Sequence, residues 1–283
     1  MAKERQIALC ADDYGLSYAV SVGILEALDA GRLSAVSCMT NMPRWPAMGC
    51  DLARRSAEAD IGLHFNLTLG RPLGPMPKLA PGGAFPPVST LIRLALARKL
   101  PLDEISQEID RQLDRFESVM GRKPDFIDGH QHIHGLPGLR GALLDAMERR
   151  FLPRSTWLRD AGDAPHRIVL RGSFPKKALA VRALTAGFAG DARRRGFALN
   201  HGFAGFSDFR AGHDYARQFA AYLRLPGQRH LIMCHPGRVD DELRALDPVT
   251  VTREQELAFL LSERFGEMLA ARDMRLGRLS GAV

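Results

Sequence analysis

The stretch Ala11-Asp12-Asp13-Tyr14-Gly15-Leu16-Ser17 joins a predicted strand to a predicted helix, and the fold can be worked out from it. Residues 6–10 before it form an apolar run typical of a buried strand, and residues 17–28 after it carry an apolar face at helical spacing. Ser17 suits a helix N-cap and Gly31 a helix end. Two adjacent carboxylates therefore stand at the edge where strand–loop–helix folds build their sites. For an Asp-Asp pair taken alone, a simple turn is the competing interpretation.

Strand and helix patterns alternate along the rest of the chain. Further strands are predicted at residues 33–41, 60–68, 124–134, 156–160 and 229–237, and residues 274–276 are expected to close the sheet. Helices are predicted at 45–57, 91–98, 105–121, 136–149, 176–195, 213–223 and 252–271, the last with a capping box of Thr252 and Gln255. Residues 201–210 are expected to form a loop. The alternation predicts an α/β fold with mostly parallel strands, a distorted (β/α) barrel in one domain over residues 1–283.

The segment at residues 69–90 is rich in proline and glycine and is followed by a basic amphipathic helix at 91–98. A long loop inside a compact chain is often a lid or a binding segment. We therefore expect a lid or insertion over about residues 69–100, with a passive surface insertion as the alternative.

Composition places the chain among globular proteins, with 46% hydrophobic and 25% charged residues. No apolar run is long enough to span a bilayer, and the first strand begins almost at once, so no signal peptide is expected. The four cysteines form no Cys-x-x-Cys pair, which favours a reducing, cytoplasmic location.

The formal charge of +7 would suit an acidic partner. The basic residues are scattered, however, and they are not interleaved with aromatic residues, so nucleic acid is not an expected partner. A substrate at a membrane surface remains an open alternative.

Polar clusters fall at four predicted strand ends, namely Asp12-Asp13, His64, His130-x-His132-x-His134 and His235. The carboxyl ends of parallel barrel strands meet on one face. If residues 130–134 are extended, their three imidazoles point to the same side, and a divalent metal is their usual partner. A single histidine on a strand is more often a structural hydrogen-bonding residue.

Two histidines and one carboxylate leave positions open for water and substrate at a metal. Asp13, His64 and His130 can form such a set, with Asp12 as general base and His235 as general acid or oxyanion stabiliser. Spacing alone does not choose among His130, His132 and His134, nor between the two aspartates. The expected reaction is metal-assisted hydrolysis of an amide or ester.

Several motifs resemble those of the YdjC-like carbohydrate deacetylases, and they occur in that family's order. They are the quoted stretch at residues 11–17, Gly62-Leu63-His64-Phe65-Asn66-Leu67-Thr68 with Gly70-Arg71-Pro72-Leu73, Asp128-Gly129-His130-Gln131-His132-Ile133-His134 with Pro137, and Cys234-His235-Pro236-Gly237. The resemblance implies a distorted (β/α) barrel that removes acetyl groups from N-acetylglucosamine-type sugars, often as a homodimer. It implies a metal on Asp13, His64 and His130, with Asp12 as the base and His235 as a late active-site histidine.

The sequence departs from the family pattern in two places. Tyr14 stands where phenylalanine is usual, and residues 150–225 carry little family signal. Because that region should shape the sugar pocket, substrate contacts are the weakest inference. The candidates are His132, His134, Arg159, Asp160 and Asn66, and an ion pair is the competing interpretation for Arg159 and Asp160.

Three functions compete. The first is a metal-dependent deacetylase acting on an oligosaccharide or a lipid-linked sugar. The second is another metal-dependent amidohydrolase or phosphoesterase with the same ligands, and the third is a non-catalytic sugar-binding protein. The expected cofactor is one divalent ion, Mg or Zn, with Mn, Co and Ni as alternatives.

Overall fold

The structure is a computed structural model that describes residues 4–150, 152 and 154–280, so the ends of the predicted domain lie outside the described residues. The strands are β1 Arg5–Tyr14, β2 Ala35–Cys38, β3 Asp60–Phe65, β4 Phe126–Gly129, β5 Trp157–Leu158, β6 Phe203–Ala204, β7 His230–Cys234 and β8 Met274–Leu276. The helices are α1 Tyr18–Asp29, α2 Trp45–Ala53, α3 Val88–Leu96, α4 Leu102–Met120, α5 Leu139–Arg149, α6 Pro165–Arg171, α7 Pro175–Leu184, α8 Phe188–Arg194, α9 Tyr215–Tyr222, α10 Asp241–Leu246, α11 Val251–Leu261 and α12 Glu263–Ala270. Across these described ranges, no helix is both long and apolar enough to cross a membrane.

The strands form a curled parallel sheet in the order β5-β4-β3-β2-β1-β7-β6, and β8 pairs with the first residues of β1. A parallel bridge between Leu158 and Leu199 brings the segment before β6 alongside β5. The sheet therefore curls on itself with the helices packed around it, and the prediction of an α/β fold with a distorted (β/α) barrel is confirmed.

Side-chain alternation along the strands divides the barrel interior into an apolar layer and a polar layer. The apolar layer includes Ala8, Cys10, Ala35, Phe126, Trp157, Phe203, Leu231 and Met233. Two residues further along several of these strands, the inward side chains become polar, at Asp12, Ser37, Asp128 and Arg159. The carboxyl end of the barrel is therefore lined by charged and polar groups above a packed base.

Gly62 shows how closely the apolar layer is packed. The rings of Phe126 and Trp157 stack with centroids 4.2 Å apart. A Cβ atom at Gly62 would lie 2.5 Å from the Phe126 ring, so a larger residue at this position of β3 would displace the ring. The next inward residue on β3 is His64. Because Gly62 has no side chain, β3 can lie against the packed apolar layer and place His64 above it.

Residues 130–134 are not extended, which corrects the expectation that three histidines share one side. They belong to a 3₁₀ helix, His130–Gly135. Gln131 and His132 within it have φ of 54° and 61°, in the left-handed region. The chain turns sharply after β4, so the three imidazoles point in different directions.

Three other predicted elements need correction. The helix predicted at 176–195 is two helices, α7 and α8, separated by a turn that includes Gly187 at φ 93°. The last helix is divided at Ser262, and Thr252 lies inside α11 and is not its cap. The segment 201–210 is mostly loop but contains the two-residue strand β6. In the two helices a local turn interrupts a pattern that is continuous in the sequence.

Asp60, at the start of β3, holds the C-terminal segment by hydrogen bonds across the amino end of the barrel. Its Oδ2 accepts hydrogen bonds from Trp157 Nε1 at 3.0 Å, Leu279 N at 2.8 Å and Ser280 N at 3.0 Å. Its Oδ1 accepts from Arg278 Nε at 3.0 Å. Leu279 is thereby held within the apolar layer.

We expect Asp60→Ala to lower the free energy of unfolding by about 3 kcal/mol, because several buried donors would lose their acceptor. Urea denaturation of the purified variant measures this change. The control is Asp29→Ala, which removes an exposed ion pair with Arg55 and should change stability by less than about 1 kcal/mol. Equal losses of unfolding free energy in the two variants would contradict a stabilising role for the hydrogen bonds of Asp60.

Candidate active site

Three side chains converge at the carboxyl end of the sheet, from β1, β3 and the turn after β4. Asp13 Oδ1 lies 3.4 Å from His64 Nε2 and 3.1 Å from His130 Nδ1. One ligand atom from each residue lies within 4.8 Å of the other two. Two imidazole nitrogens and one carboxylate oxygen form a donor set that suits a divalent transition metal. The residues present therefore fit a metal ion.

A neighbouring cluster of Cys10, Asp12 and Asp128 has the same kind of donor atoms but already surrounds a cation. The guanidinium of Arg159 donates to Asp12 and to Cys10 Sγ at 3.1 Å, and its Nη2 forms an ion pair with Asp128 Oδ2 at 2.5 Å. Because Arg159 supplies the positive charge, the cluster needs no metal.

Arg253, from α11, neutralises one oxygen of the Asp13 carboxylate. Its Nη2 donates to Asp13 Oδ2 at 2.8 Å and to Asp247 Oδ2 at 3.0 Å. Burial by itself raises the pKa of Asp13, but Arg253 and the hydrogen bonds from His130 and His64 hold that pKa well below its usual value. Asp13 is therefore ionised, with Oδ2 occupied by Arg253 and Oδ1 facing the histidines.

His64 is oriented by Asp128 and Ser37. Its Nδ1 lies 2.7 Å from Asp128 Oδ1, and Ser37 Oγ donates to the same carboxylate oxygen at 2.5 Å. Burial lowers the pKa of His64, but the charges of Asp128 and Asp12 and the hydrogen bonds that the ring donates to Asp128 and Asp13 outweigh it and raise the pKa to about 10. A carboxylate behind a ligating histidine fixes the ring so that the other nitrogen would face a bound metal ion, which would take the place of the proton on that nitrogen.

Asp12 is held rigidly by the buried Arg159. The two guanidinium nitrogens donate to its two oxygens at 2.6 Å each. A carboxylate offers about four acceptor positions, so such a pair leaves lone pairs free on both oxygens. The backbone of Arg159 is fixed in turn, because His134 Nε2 donates to its carbonyl at 2.7 Å. Asp12 is thus an oriented acceptor beside the Asp13, His64 and His130 cluster.

His235 follows β7 at the mouth of the barrel. Its backbone N–H donates to Glu256 Oε2 at 2.6 Å, and its ring meets Phe209 edge-on with centroids 5.1 Å apart. Burial lowers the pKa of His235 to about 4, against the opposing effect of Asp13 and Asp12. The imidazole is therefore neutral at pH 7 and has one N–H to donate.

Comparison with known proteins agrees with these motifs. The sequence model of the family described as YdjC-like protein matches residues 6–271. The chain belongs to the YdjC-like family. A chitooligosaccharide deacetylase of Citrobacter koseri is 30% identical over 279 residues, covering 97% of this chain and 98% of that protein.

Two other curated relatives match over a shorter stretch. A chitooligosaccharide deacetylase of Enterobacter sp. is 37% identical over 136 residues, 48% of this chain and 53% of that protein. A carbohydrate deacetylase of Mus musculus is 34% identical over 148 residues, 50% of this chain and 47% of that protein. This YdjC-like chain thus aligns with about half the length of these two relatives.

Solved structures share the fold of this YdjC-like protein. A putative cellobiose-phosphate cleavage protein of Enterococcus faecalis V583 has a TM-score of 0.77 at 22% identity, covering 99% of this chain and 100% of that one. The Bc1960 peptidoglycan N-acetylglucosamine deacetylase has a TM-score of 0.53 at 14% identity, covering 99% and 88%. At these identities the likeness concerns the fold alone.

The five residues predicted as substrate contacts of the YdjC-like protein lie in different surroundings. Arg159 and His134 are buried in the ion-pair network, so the geometry favours the ion-pair interpretation for Arg159. Asn66 is buried and its amide bonds to Asn41 Oδ1 and the Leu69 carbonyl, which orders the loop after β3. Asp160 faces away from the ligand cluster, toward a separate cavity lined by α6, α7 and α8.

His132 is the predicted contact placed above the apolar layer. Its ring lies edge-on to Phe203 and Phe206, with centroids 5.7 Å and 5.5 Å away. Burial lowers its pKa well below the usual value, and Arg159 and His134 lower it further, so the ring is neutral. The imidazole and the two phenylalanines together form an apolar wall with one polar edge.

Sequence reasoning did not assign roles to Ser37, Asp128, Arg253 or Glu256. Asp128 had a signal, because it is an inward carboxylate on an otherwise apolar strand, two residues before a histidine. Arg253 had none, since it reaches Asp13 across 240 residues of chain.

Proposed function

We propose that this YdjC-like protein is a metal-dependent deacetylase that removes N-acetyl groups from N-acetylglucosamine-type sugars, either oligosaccharide or lipid-linked. The observation that carries the proposal is the Asp13, His64 and His130 cluster beside an aspartate fixed by a buried arginine. The names of the curated relatives, which are chitooligosaccharide and carbohydrate deacetylases, support the choice of substrate class.

Asp13, His64 and His130 would hold the metal ion. A divalent cation there would polarise the acetamide carbonyl and lower the pKa of a neighbouring water. Arg253 keeps Asp13 ionised, and Asp128 keeps the His64 ring turned toward the site. Two nitrogen donors favour Zn, Mn, Co or Ni, whereas Mg prefers a site richer in oxygen.

The remaining groups manage the protons. Asp12 accepts a proton from the attacking water as the C–O bond forms, while Arg159 keeps the carboxylate aimed at that water. The His235 imidazole donates a hydrogen bond to the oxygen that becomes negatively charged. Because the imidazole is neutral, the role of oxyanion stabiliser is favoured over that of general acid. The proton held by Asp12 then passes to the departing nitrogen, and acetate and the free amine leave.

We propose further that the protein is cytoplasmic. Cys10, Cys38, Cys50 and Cys234 are free thiols, which suits a cytoplasmic enzyme. We also propose a homodimer, and a lid formed by residues 69–100 over the carboxyl end of the barrel. Size-exclusion chromatography with light scattering tests the assembly.

The test of the activity is acetate release from N-acetylglucosamine, chitooligosaccharides and a lipid-linked N-acetylglucosamine. The protein is assayed as purified, after chelation, and with Zn, Mg, Mn, Co or Ni restored. We expect release that disappears on chelation and returns with at least one metal. If metal binds and no acetate appears from any substrate, the deacetylase proposal is wrong. Assays with esters and phosphoesters then separate another hydrolase from a sugar-binding protein.

A further inference from the structure

A cavity of about 320 Å³ lies behind the barrel wall, apart from the ligand cluster at the carboxyl end. We call it the arginine cavity and define it by Arg167, Arg182, Arg193, Asp160, Asp163 and Asn200, which line it. Its inner wall is the segment that continues β5, where Arg159 points into the barrel and the next residue points out. None of Asp12, Asp13, His64 or His130 lines it.

Three helices each contribute one arginine to this cavity, Arg167 from α6, Arg182 from α7 and Arg193 from α8. Arg167 Nη1 lies 3.5 Å from an Asp163 oxygen, and Arg182 Nε donates to the Asp163 carbonyl at 3.0 Å. In the described part of the chain, no carboxylate oxygen lies within 4 Å of the Arg193 guanidinium.

The two residues that follow Arg193 differ from it, because each has a carboxylate partner. Arg194 pairs with Asp191, and Arg195 Nη1 donates to Asp145 Oδ1 at 2.6 Å. Two of the three consecutive arginines therefore have carboxylate partners, and the third lines the cavity with no carboxylate oxygen of the described residues within 4 Å.

Two acidic residues, Asp160 and Asp163, line the cavity beside its three arginines. Asp163 Oδ2 accepts from the buried Arg171 at 2.9 Å, in addition to the contact with Arg167. Asp160 Oδ1 accepts the Gly162 N–H at 2.9 Å, and burial raises the pKa of this carboxyl against the opposing effect of Arg193 and Arg182. Three guanidinium groups thus face a space with two carboxylates, one of which, Asp163, also pairs with the buried Arg171, so positive charge is in excess.

We propose that the arginine cavity binds a phosphate group, either as free phosphate or as part of a phosphorylated sugar. Guanidinium groups bind phosphate oxygens through paired N–H donors, and a multivalent anion offsets several like charges at once. The volume lies within the range of small-ligand sites and has room for more than the anion alone. This inference does not depend on the deacetylase proposal.

The test is isothermal titration calorimetry of the full chain with inorganic phosphate, glucosamine 6-phosphate and glucosamine, at constant ionic strength. The double variant Arg182→Gln, Arg193→Gln is compared with Arg194→Gln, Arg195→Gln, which removes the same charge outside the cavity. We expect saturable binding of both phosphate compounds and none of glucosamine, with affinity lowered about tenfold or more only in the cavity variant. Binding should persist after chelation.

The affinities for the two phosphate compounds identify the kind of ligand. Equal affinities for the two phosphate compounds support recognition of the phosphate alone, and tighter binding of glucosamine 6-phosphate supports a phosphorylated sugar. The proposal fails if no saturable heat appears, if both double variants lose affinity equally, or if chelation abolishes binding, because phosphate would then bind at the metal ligands. Acetate release does not enter this test, so its failure and that of the deacetylase proposal remain distinguishable.

Discussion

His64→Ala is expected to remove the bound metal ion and to lower acetate release by about a thousandfold. His64 Nε2 faces Asp13 Oδ1 and the imidazole of His130, and its loss leaves two ligands, which hold a divalent ion poorly. Because the metal contributes several kcal/mol of charge stabilisation in the transition state, the rate should fall by roughly three orders of magnitude.

The measurement is metal content by mass spectrometry after gel filtration, together with kcat for acetate release. The matched control is His166→Ala, since His166 is an exposed histidine of α6 that does not belong to the ligand cluster. That variant should keep its metal and its activity. A His64→Ala protein that is folded and retains one equivalent of metal would show that the ligand set is wrong.

The parts of this site that the sequence indicated are those in which local pattern and strand direction decide the geometry. Asp12 and Asp13 end β1, and His64 lies near the end of β3, so a parallel sheet brings them to one edge. The apolar runs before them predicted strands because buried parallel strands are apolar on both faces. The α/β class and the barrel follow from the same pattern.

The parts that the sequence did not indicate depend on backbone turns and on long-range charge pairs. Gln131 and His132 adopt left-handed φ angles that their residue types do not predict. This turn separates His130 from the other two histidines. Arg159 lies in a sequence context typical of a surface strand end. It is buried only because Asp12 and Asp128, from two other strands, surround its guanidinium. Such compensation exists only in three dimensions.

Asp12→Asn is expected to lower kcat by about a thousandfold while the metal content stays at one equivalent. The asparagine amide cannot take a proton from water, and Asp12 does not belong to the cluster of metal ligands. Part of the orientation network survives, because Arg159 keeps its contact with Asp128 Oδ2 at 2.5 Å. Steady-state kinetics should therefore show a large change in kcat and a small one in KM.

A structural fault can be separated from the loss of a base by chemical rescue. Asp12→Gly removes the carboxylate and leaves a space beside the Arg159 guanidinium, which formate can enter as a small carboxylate. If Asp12 is the base, added formate should restore part of kcat in Asp12→Gly and have no effect on the His64→Ala protein, which lacks the metal. Absence of rescue, together with an Asp12→Asn activity within tenfold of the unmodified protein, would show that Asp12 is not the base.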